Sequence, residues 1–180
     1  SFEVRPAQLA MARRVAATLE EGARLAVEAG TGTGKTLAYL APAVLSDHKV
    51  VISTATRTLQ EQIFARDIPL LLAGLGLQLQ VACMKGIGNY LCRRRFAEVR
   101  GSGQQDLLDP DPHLLLIEPW AETTLSGDRA ELATLPDDSP VWPRVSPTPE
   151  SRLGARCPHY EECFVTRMRR EAAAARLVVV

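Results

Sequence analysis

Net charge is the first thing missing. The 180 residues carry 21 Lys plus Arg against 21 Asp plus Glu, so bulk electrostatics say nothing for or against a polyanionic partner. Long apolar runs are missing too. None approaches the roughly 20 residues a membrane helix needs, and no signal-peptide pattern opens the chain. The expectation is a cytoplasmic protein with no membrane partner. There is no internal repeat. Cysteine is scarce, at four, and in such a chain four thiols argue for metal or redox chemistry rather than disulfides.

What is present is unevenly distributed. Arg93, Arg94, Arg95 and Arg100 crowd one stretch, and Arg167, Arg169, Arg170 and Arg176 another. Between them lies an acidic, Pro-rich segment with Asp106, Asp109, Asp111, Asp137 and Asp138. A first helix is expected from Arg5-Pro6, with Leu9, Met11, Val15 and Leu19 on an apolar face and Gly22 as its stop. Residues 24–29 read as a short strand, 30–34 as a glycine loop, and 35–45 as a helix bent at Pro42. Residues 49–54 read as a buried strand, a helix follows from about Thr58, and 77–83 alternate like another strand. This order predicts an α/β fold with a parallel sheet and crossover helices on both faces. The pattern dissolves after about Lys85. Residues 101–156 are too long and irregular for an ordinary loop and read as part of an insertion. Periodicity resumes at Phe164 with a helix rich in Arg and Ala, and residues 177–180 begin a buried strand.

The glycine loop carries the first chemistry. Ala29-Gly30-Thr31-Gly32-Thr33-Gly34-Lys35-Thr36 matches the Walker A pattern with Ala in place of the first Gly. Between a strand and a helix, such a loop offers unpaired N–H groups and the positive end of a helix dipole to an anion. Glycines let the backbone close around phosphate oxygens. Gly30, Thr31, Gly32, Thr33 and Gly34 are the expected cradle. Lys35 is the expected charge for the β- and γ-phosphates, and Thr36 the expected hydroxyl for Mg²⁺. ATP and Mg²⁺ are the cofactors this implies. The loop alone does not separate a motor from a kinase or a transporter ATPase.

Three further segments narrow the choice. Arg5-Pro6-Ala7-Gln8 precedes the loop at about the distance of a helicase Q motif. The stretch Ser53-Thr54-Ala55-Thr56-Arg57-Thr58-Leu59-Gln60-Glu61-Gln62 resembles helicase motif Ia. Met84-Lys85-Gly86-Ile87-Gly88-Asn89-Tyr90-Leu91-Cys92 resembles the segment that opens an iron–sulfur insertion, with Ile87 where Arg is common. Together they resemble the DinG/XPD-like group of iron–sulfur superfamily 2 DNA helicases, the bacterial YoaA/DinG branch most of all. The resemblance continues through Trp120, Thr124, Gly127-Asp128-Arg129 and Glu131-Leu132, and through residues 153–164.

The resemblance implies a RecA-like P-loop NTPase domain interrupted by an iron–sulfur-type insertion. Residues 1–84 would be the first part of the motor domain, 85–176 the insertion, and 177–180 the returning strand. The chain holds no Asp-Glu-Ala-His box, so it is expected to be the front part of a longer motor and inactive by itself. The whole protein would be an ATP-dependent DNA helicase moving 5′→3′ on single-stranded or forked DNA in repair or replication. Gln8 would read adenine through its amide. Thr54, Lys85, Tyr90, Arg93, Arg94 and Arg95 would meet DNA, the cations neutralising phosphates and Tyr90 stacking on a base. Cys92, Cys157 and Cys163 match three ligands of a 4Fe–4S cluster. The fourth expected position holds Arg152, whose guanidinium has no lone pair to give. Cys83 or His159 could complete the set, the site could hold an incomplete cluster or zinc, or the metal could be lost. Two other classes stay open: a P-loop NTPase not acting on DNA, and a non-catalytic nucleotide- or DNA-binding module.

Overall fold

The computed structural model describes residues 5–102 and 111–180. Asp106 and Asp109 of the acidic segment lie outside them. The chain divides into two units, residues 1–84 with 171–180, and residues 85–170.

In the first unit, α1 (Pro6–Glu21) starts with proline in its first turn and ends at Gly22. Met11, Val15 and Leu19 are half-buried, while Leu9 is exposed. The periodicity therefore found a one-sided helix, but no residue of α1 is fully buried. Next, α2 (Lys35–Leu45) runs through a buried Pro42. Strand β1 (Val50–Ile52) leads to α3 (Arg57–Gln62), capped by the Thr56 hydroxyl accepting from the Leu59 N–H at 3.2 Å. A π-helical turn over Ile63–Asp67 joins α3 to α4 (Ile68–Leu75). Strand β2 (Val81–Cys83) follows, and β3 (Leu177–Val179) closes the sheet.

The sheet is parallel in the order β1–β3–β2, with Val50 and Val81 both level with Leu177. Successive strand side chains point to opposite faces, and β3 makes use of both. Leu177 and Val179 join Leu40, Val44, Ile52, Ile63 and Ile68 in one core. Val178 joins Ala82, Ala172 and Ala175 in another. Each core is an apolar cluster on one sheet face, so helices cover both faces, as the α/β reading required.

One expected element is absent. Residues 24–29 form no strand and are largely exposed. A β-strand exists only through ladder bonds to a neighbour, and no described strand pairs with this segment. For the same reason the observed strands are shorter than the apolar runs that contain them.

The second unit has its own core. It contains α5 (Arg93–Ser102), α6 (Pro112–Thr123), the short α7 (Trp142–Val145) and most of α8 (Phe164–Ala174). Tyr90, Leu91, Phe96, Ile117, Trp142, Phe164 and Met168 are among its buried residues. Trp142 donates its indole N–H to Gly88 O at 2.7 Å and packs 6.1 Å from Trp120. The described part of the irregular stretch thus contains the helix α6 and packs its side chains into this core.

Candidate functional site

The phosphate loop lies between the irregular segment 24–29 and the N-terminus of α2. Lys35 folds back over the loop, its Nζ donating to Ala29 O at 2.7 Å and Gly30 O at 2.6 Å. Thr33 Oγ1 donates to Gly30 O at 2.9 Å. These three bonds draw the loop together in the way a phosphate-binding loop is folded. Thr36 lies in the first turn of α2, near enough to Tyr39 to act on its hydroxyl. Burial raises the Tyr39 pKa, Asp67 adds to the rise, and the Thr36 bond opposes it. Tyr39 is a residue the sequence reading missed, although it lies one helical turn from Thr36.

Gln8 reaches the loop from α1. Its Nε2 donates to Gly34 O at 3.0 Å. Gly34 has φ +78°, and a Cβ placed there would lie 2.3 Å from Gln8 Nε2. Glycine is required here twice over, for its backbone conformation and for the space the Gln8 amide occupies. Arg5 also reaches in, donating to Gly32 O at 2.9 Å. The Arg-Pro-x-Gln segment and the phosphate loop therefore form one assembly.

The residues expected to meet DNA are divided. Thr54 lies just beyond the C-terminal end of β1, its N–H donating to Val180 O at 2.9 Å. Its neighbour α3 is anchored by the buried Gln60, whose amide donates to Met84 O and Val179 O, both at 3.3 Å. Tyr90 is only 5% exposed, and its hydroxyl accepts from the Lys85 N–H at 3.3 Å. Its ring is a core residue, so the expectation of base stacking is corrected. Lys85 is also committed, its Nζ 2.6 Å from Asp128 Oδ2 with 8% of its side chain exposed. A buried, paired ammonium is not offered to a phosphate.

The three arginines each have a partner within the second unit. Arg93 stacks 4.6 Å over Phe164 and donates to Glu162 O at 3.3 Å. Arg94 pairs with Glu98 and donates to Ser151 O at 2.9 Å. Arg95 donates to Arg144 O and Pro143 O, both at 2.9 Å. All three are half-buried. They brace α5 against later segments, and the charge they keep at the surface is what a phosphate could meet.

The second unit holds a polar knot around Glu131. Glu131 accepts from Trp120 Nε1 at 2.9 Å, from Thr124 Oγ1 at 2.6 Å, and from Ser126 Oγ. Partial burial pushes its pKa up, but the three donors and Lys85 outweigh this and hold it below the usual glutamate value. Gly127, at φ +67°, passes so close to Phe164 that a Cβ would lie 2.3 Å from the ring. Asp128, next in line, pairs with Lys85 and bridges Tyr90.

Cys92, Cys157 and Cys163 are brought together. They line one small cavity with Arg94 and Arg152. His159 is not in its wall, and the backbone of Cys83 is fixed in β2, level with Val179. Burial raises the Cys163 pKa. The Thr166 hydroxyl, the N–H groups of Thr166 and Val165, and the Arg152 charge outweigh that and pull it below a free thiol's. Thr166 Oγ1, close by, is buried with no hydrogen-bond partner. Among the described residues no three Cys, His, Asp or Glu side chains converge closely enough to hold one metal ion. A four-thiolate cluster does not fit this donor set, because the wall offers three thiols and a guanidinium.

A family model for DEAD/DEAH box helicases matches residues 7–102, the stretch that holds the phosphate loop, Gln8 and Thr54. The chain belongs to that family. Within it, the chain is 41% identical over 179 residues to the ATP-dependent DNA helicase YoaA of Haemophilus influenzae, covering 99% of this chain and 28% of the relative. It is 40% identical to YoaA of Escherichia coli, with the same coverage. It is 41% identical to the ATP-dependent helicase DinG of Mycobacterium tuberculosis, covering 97% of this chain and 30% of that protein. The chain thus spans less than a third of the length of these helicases. No helix of the described residues is long and apolar enough to cross a membrane.

Proposed function

We propose that this chain is the nucleotide-binding front part of an ATP-dependent DNA helicase, which moves 5′→3′ on single-stranded or forked DNA in repair or replication. The observation that carries the reading is the phosphate loop, closed by Lys35 and contacted by Gln8 at Gly34. Lys35 would leave the Ala29 and Gly30 carbonyls to meet the β- and γ-phosphates, and Thr36 would turn its hydroxyl to Mg²⁺. Backbone N–H groups of residues 30–34 would cradle phosphate oxygens. Gln8 would exchange its bond to Gly34 for the adenine edge. Residues 1–84 form the first part of the motor domain, 85–176 the insertion, and 177–180 the returning strand, in a protein of the cytoplasm.

DNA would run past the C-terminal end of β1, where parallel sheets bind their ligands, with Thr54 against the backbone. Arg93, Arg94 and Arg95 would add cationic surface from the insertion. Cys92, Cys157 and Cys163 would carry an iron–sulfur centre. Its chemistry is that of a thiolate-held cluster, and no step of ATP hydrolysis is assigned to it.

The test is ATP hydrolysis by the full-length protein, with and without single-stranded DNA. Strong stimulation by DNA is expected. Turnover indifferent to DNA would favour a P-loop NTPase that acts elsewhere. Residues 1–180 alone should bind Mg²⁺-ATP weakly without turnover, since they contain the phosphate loop but no Walker B carboxylates; DNA-stimulated hydrolysis by this piece would show that division of parts to be wrong. Reversing the charge at Arg93, Arg94 and Arg95 should weaken DNA binding and flatten its salt dependence. An unchanged salt slope would leave these arginines with bracing alone.

A further inference from the structure

Two glycines of the phosphate loop take the left-handed conformation, and their carbonyls are held differently. Gly32 has φ +76° and Gly34 φ +78°. The Gly34 carbonyl accepts from two donors, the Ala38 N–H at 3.1 Å and the Gln8 amide at 3.0 Å. When Gln8 turns to an adenine, the first turn of α2 still holds that carbonyl. The Gly32 carbonyl has one donor among the described residues, Arg5 Nη1 at 2.9 Å. A Cβ added at Gly32 would meet nothing within 4 Å, so packing does not fix this peptide either.

A peptide unit is planar and, in this loop, trans. Its C=O and its N–H therefore point in opposite directions. The Gly32 carbonyl shares one such unit with the Thr33 N–H, and the Gly34 carbonyl shares another with the Lys35 N–H. Arg5 and Gln8 come from the same end of α1, the first at its N-cap and the second in its first turn. Both carbonyls are drawn toward that end, so both N–H groups are turned away from it. Successive N–H groups facing one way are what binds an anionic oxygen. Glycine offers no side chain to resist a peptide flip. A flip at Gly32 would exchange the Thr33 N–H for a carbonyl oxygen, whose partial charge repels a phosphate.

We propose that Arg5 is a positioning residue for phosphate binding: by holding Gly32 O it keeps the Thr33 N–H turned toward the phosphates. The guanidinium acts through the backbone and touches neither the base nor a phosphate oxygen. Arg5 is exposed, and a charged donor makes a stronger hydrogen bond than a neutral one, so a single side chain can hold this peptide in water. The inference rests on the nucleotide-binding reading of the loop and deepens it. The segment before the loop then has two separate tasks, with Gln8 serving the base and Arg5 the phosphates.

The test is binding to the full-length protein of three probes, Mg²⁺-ATP, inorganic tripolyphosphate and adenosine, each displacing a fluorescent nucleotide. Arg5→Ala should weaken ATP and tripolyphosphate by the same factor, about tenfold, the scale of one charge-assisted hydrogen bond. Adenosine should bind as before. Gln8→Ala should show the opposite split, weakening ATP and adenosine and sparing tripolyphosphate. Arg5→Lys, which can still donate to Gly32 O, should recover most of the loss. In protein labelled with ¹⁵N at threonine, Arg5→Ala should move the Thr33 amide signal before any nucleotide is added. Equal binding of tripolyphosphate by the native and Arg5→Ala proteins would overturn the proposal, and a loss seen with adenosine instead would assign Arg5 to the base. Weakened tripolyphosphate binding with an unmoved Thr33 signal would also overturn it, by showing direct contact with the phosphates. If the native protein binds neither ATP nor tripolyphosphate, the nucleotide reading itself fails, a result distinct from the others.

Discussion

In the first unit the phosphate loop is closed by its own short-range bonds, with Gln8 and Arg5 of the preceding segment laid against it. Lys35 and Thr33 bond to carbonyls within six residues, and α1, which supplies Gln8, buries none of its residues completely. In the second unit short-range bonds such as those of Glu131 are joined by side chains that reach far along the sequence. Arg95 holds residues 143 and 144, Trp142 holds Gly88, and Phe164 packs on Gly127. The first arrangement is chemistry carried by a short motif on a sheet. The second is architecture, in which polar side chains serve as struts between segments that have little regular structure of their own. A substitution in the loop should therefore remove activity and spare the fold, while one in the insertion should do the reverse.

The largest effect expected is at Lys35. In the full-length protein Lys35→Ala should cut ATP hydrolysis by at least about 100-fold, the scale of losing a charged group aimed at the transition state. Circular dichroism and the unfolding midpoint should stay unchanged. Turnover near the native rate would dissolve the contrast drawn here.

Gly127→Ala should have the largest effect on stability. The new methyl meets the Phe164 ring at 2.3 Å in a backbone conformation hostile to side chains. Overpacking and strain together should cost about 2–4 kcal/mol, read as earlier denaturation and faster proteolysis within residues 85–170. If denaturation is unaffected, the packing of Gly127 on Phe164 does not support the unit.

The Gln8 contact should give a smaller change. Gln8→Ala should weaken ATP binding about tenfold, or about 1.4 kcal/mol, measured by titration with a fluorescent nucleotide. Gly34→Ala should do at least as much, because its methyl displaces the same amide and φ +78° is strained for alanine. If Gly34→Ala binds ATP normally while Gln8→Ala does not, the amide matters for adenine and not for loop shape.

The smallest effect is a pH dependence. Glu131 is held below its ordinary pKa in the fold, so the folded state binds fewer protons than the unfolded one in that range. Its contribution is fully present above the ordinary glutamate value and is lost as pH falls through the lowered folded value. Urea midpoints of the native protein should fall in this acid window more steeply than those of Glu131→Gln. Parallel curves would place the acid sensitivity elsewhere.

The contrast between the units also explains what could be read in advance. The glycine loop before α2 and the helix ending at Gly22 were legible because their signals are local and specific, whereas the bond from Gln8 to Gly34 spans 26 residues and is seen only in the structure. Residues 24–29 misled because a strand needs a partner, and propensity says nothing about whether one is beside it. Lys85 and Tyr90 misled for a different reason. A cation and an aromatic ring next to a basic run look like a nucleic-acid surface, and only Asp128, far along the chain, reveals that they face inward. Thr124, Gly127 and Glu131 were visible as parts of a resemblance, but their mutual hydrogen bonds were not. Cys92, Cys157, Cys163 and Arg152 were grouped from the sequence, and the structure adds that they line one cavity.

Strand β3 stands between β1 and β2, yet it is made last of the three. On a ribosome, β1 and β2 emerge without the neighbour that joins them, and the whole insertion must be translated before it arrives. Until then both carry unpaired edges, the kind of surface that seeks other chains. Delay in the insertion would lengthen that interval, so damage to residues 85–170 should appear first as poor yield and chaperone dependence during synthesis. The order of synthesis thus ties the yield of the first unit to the making of the second.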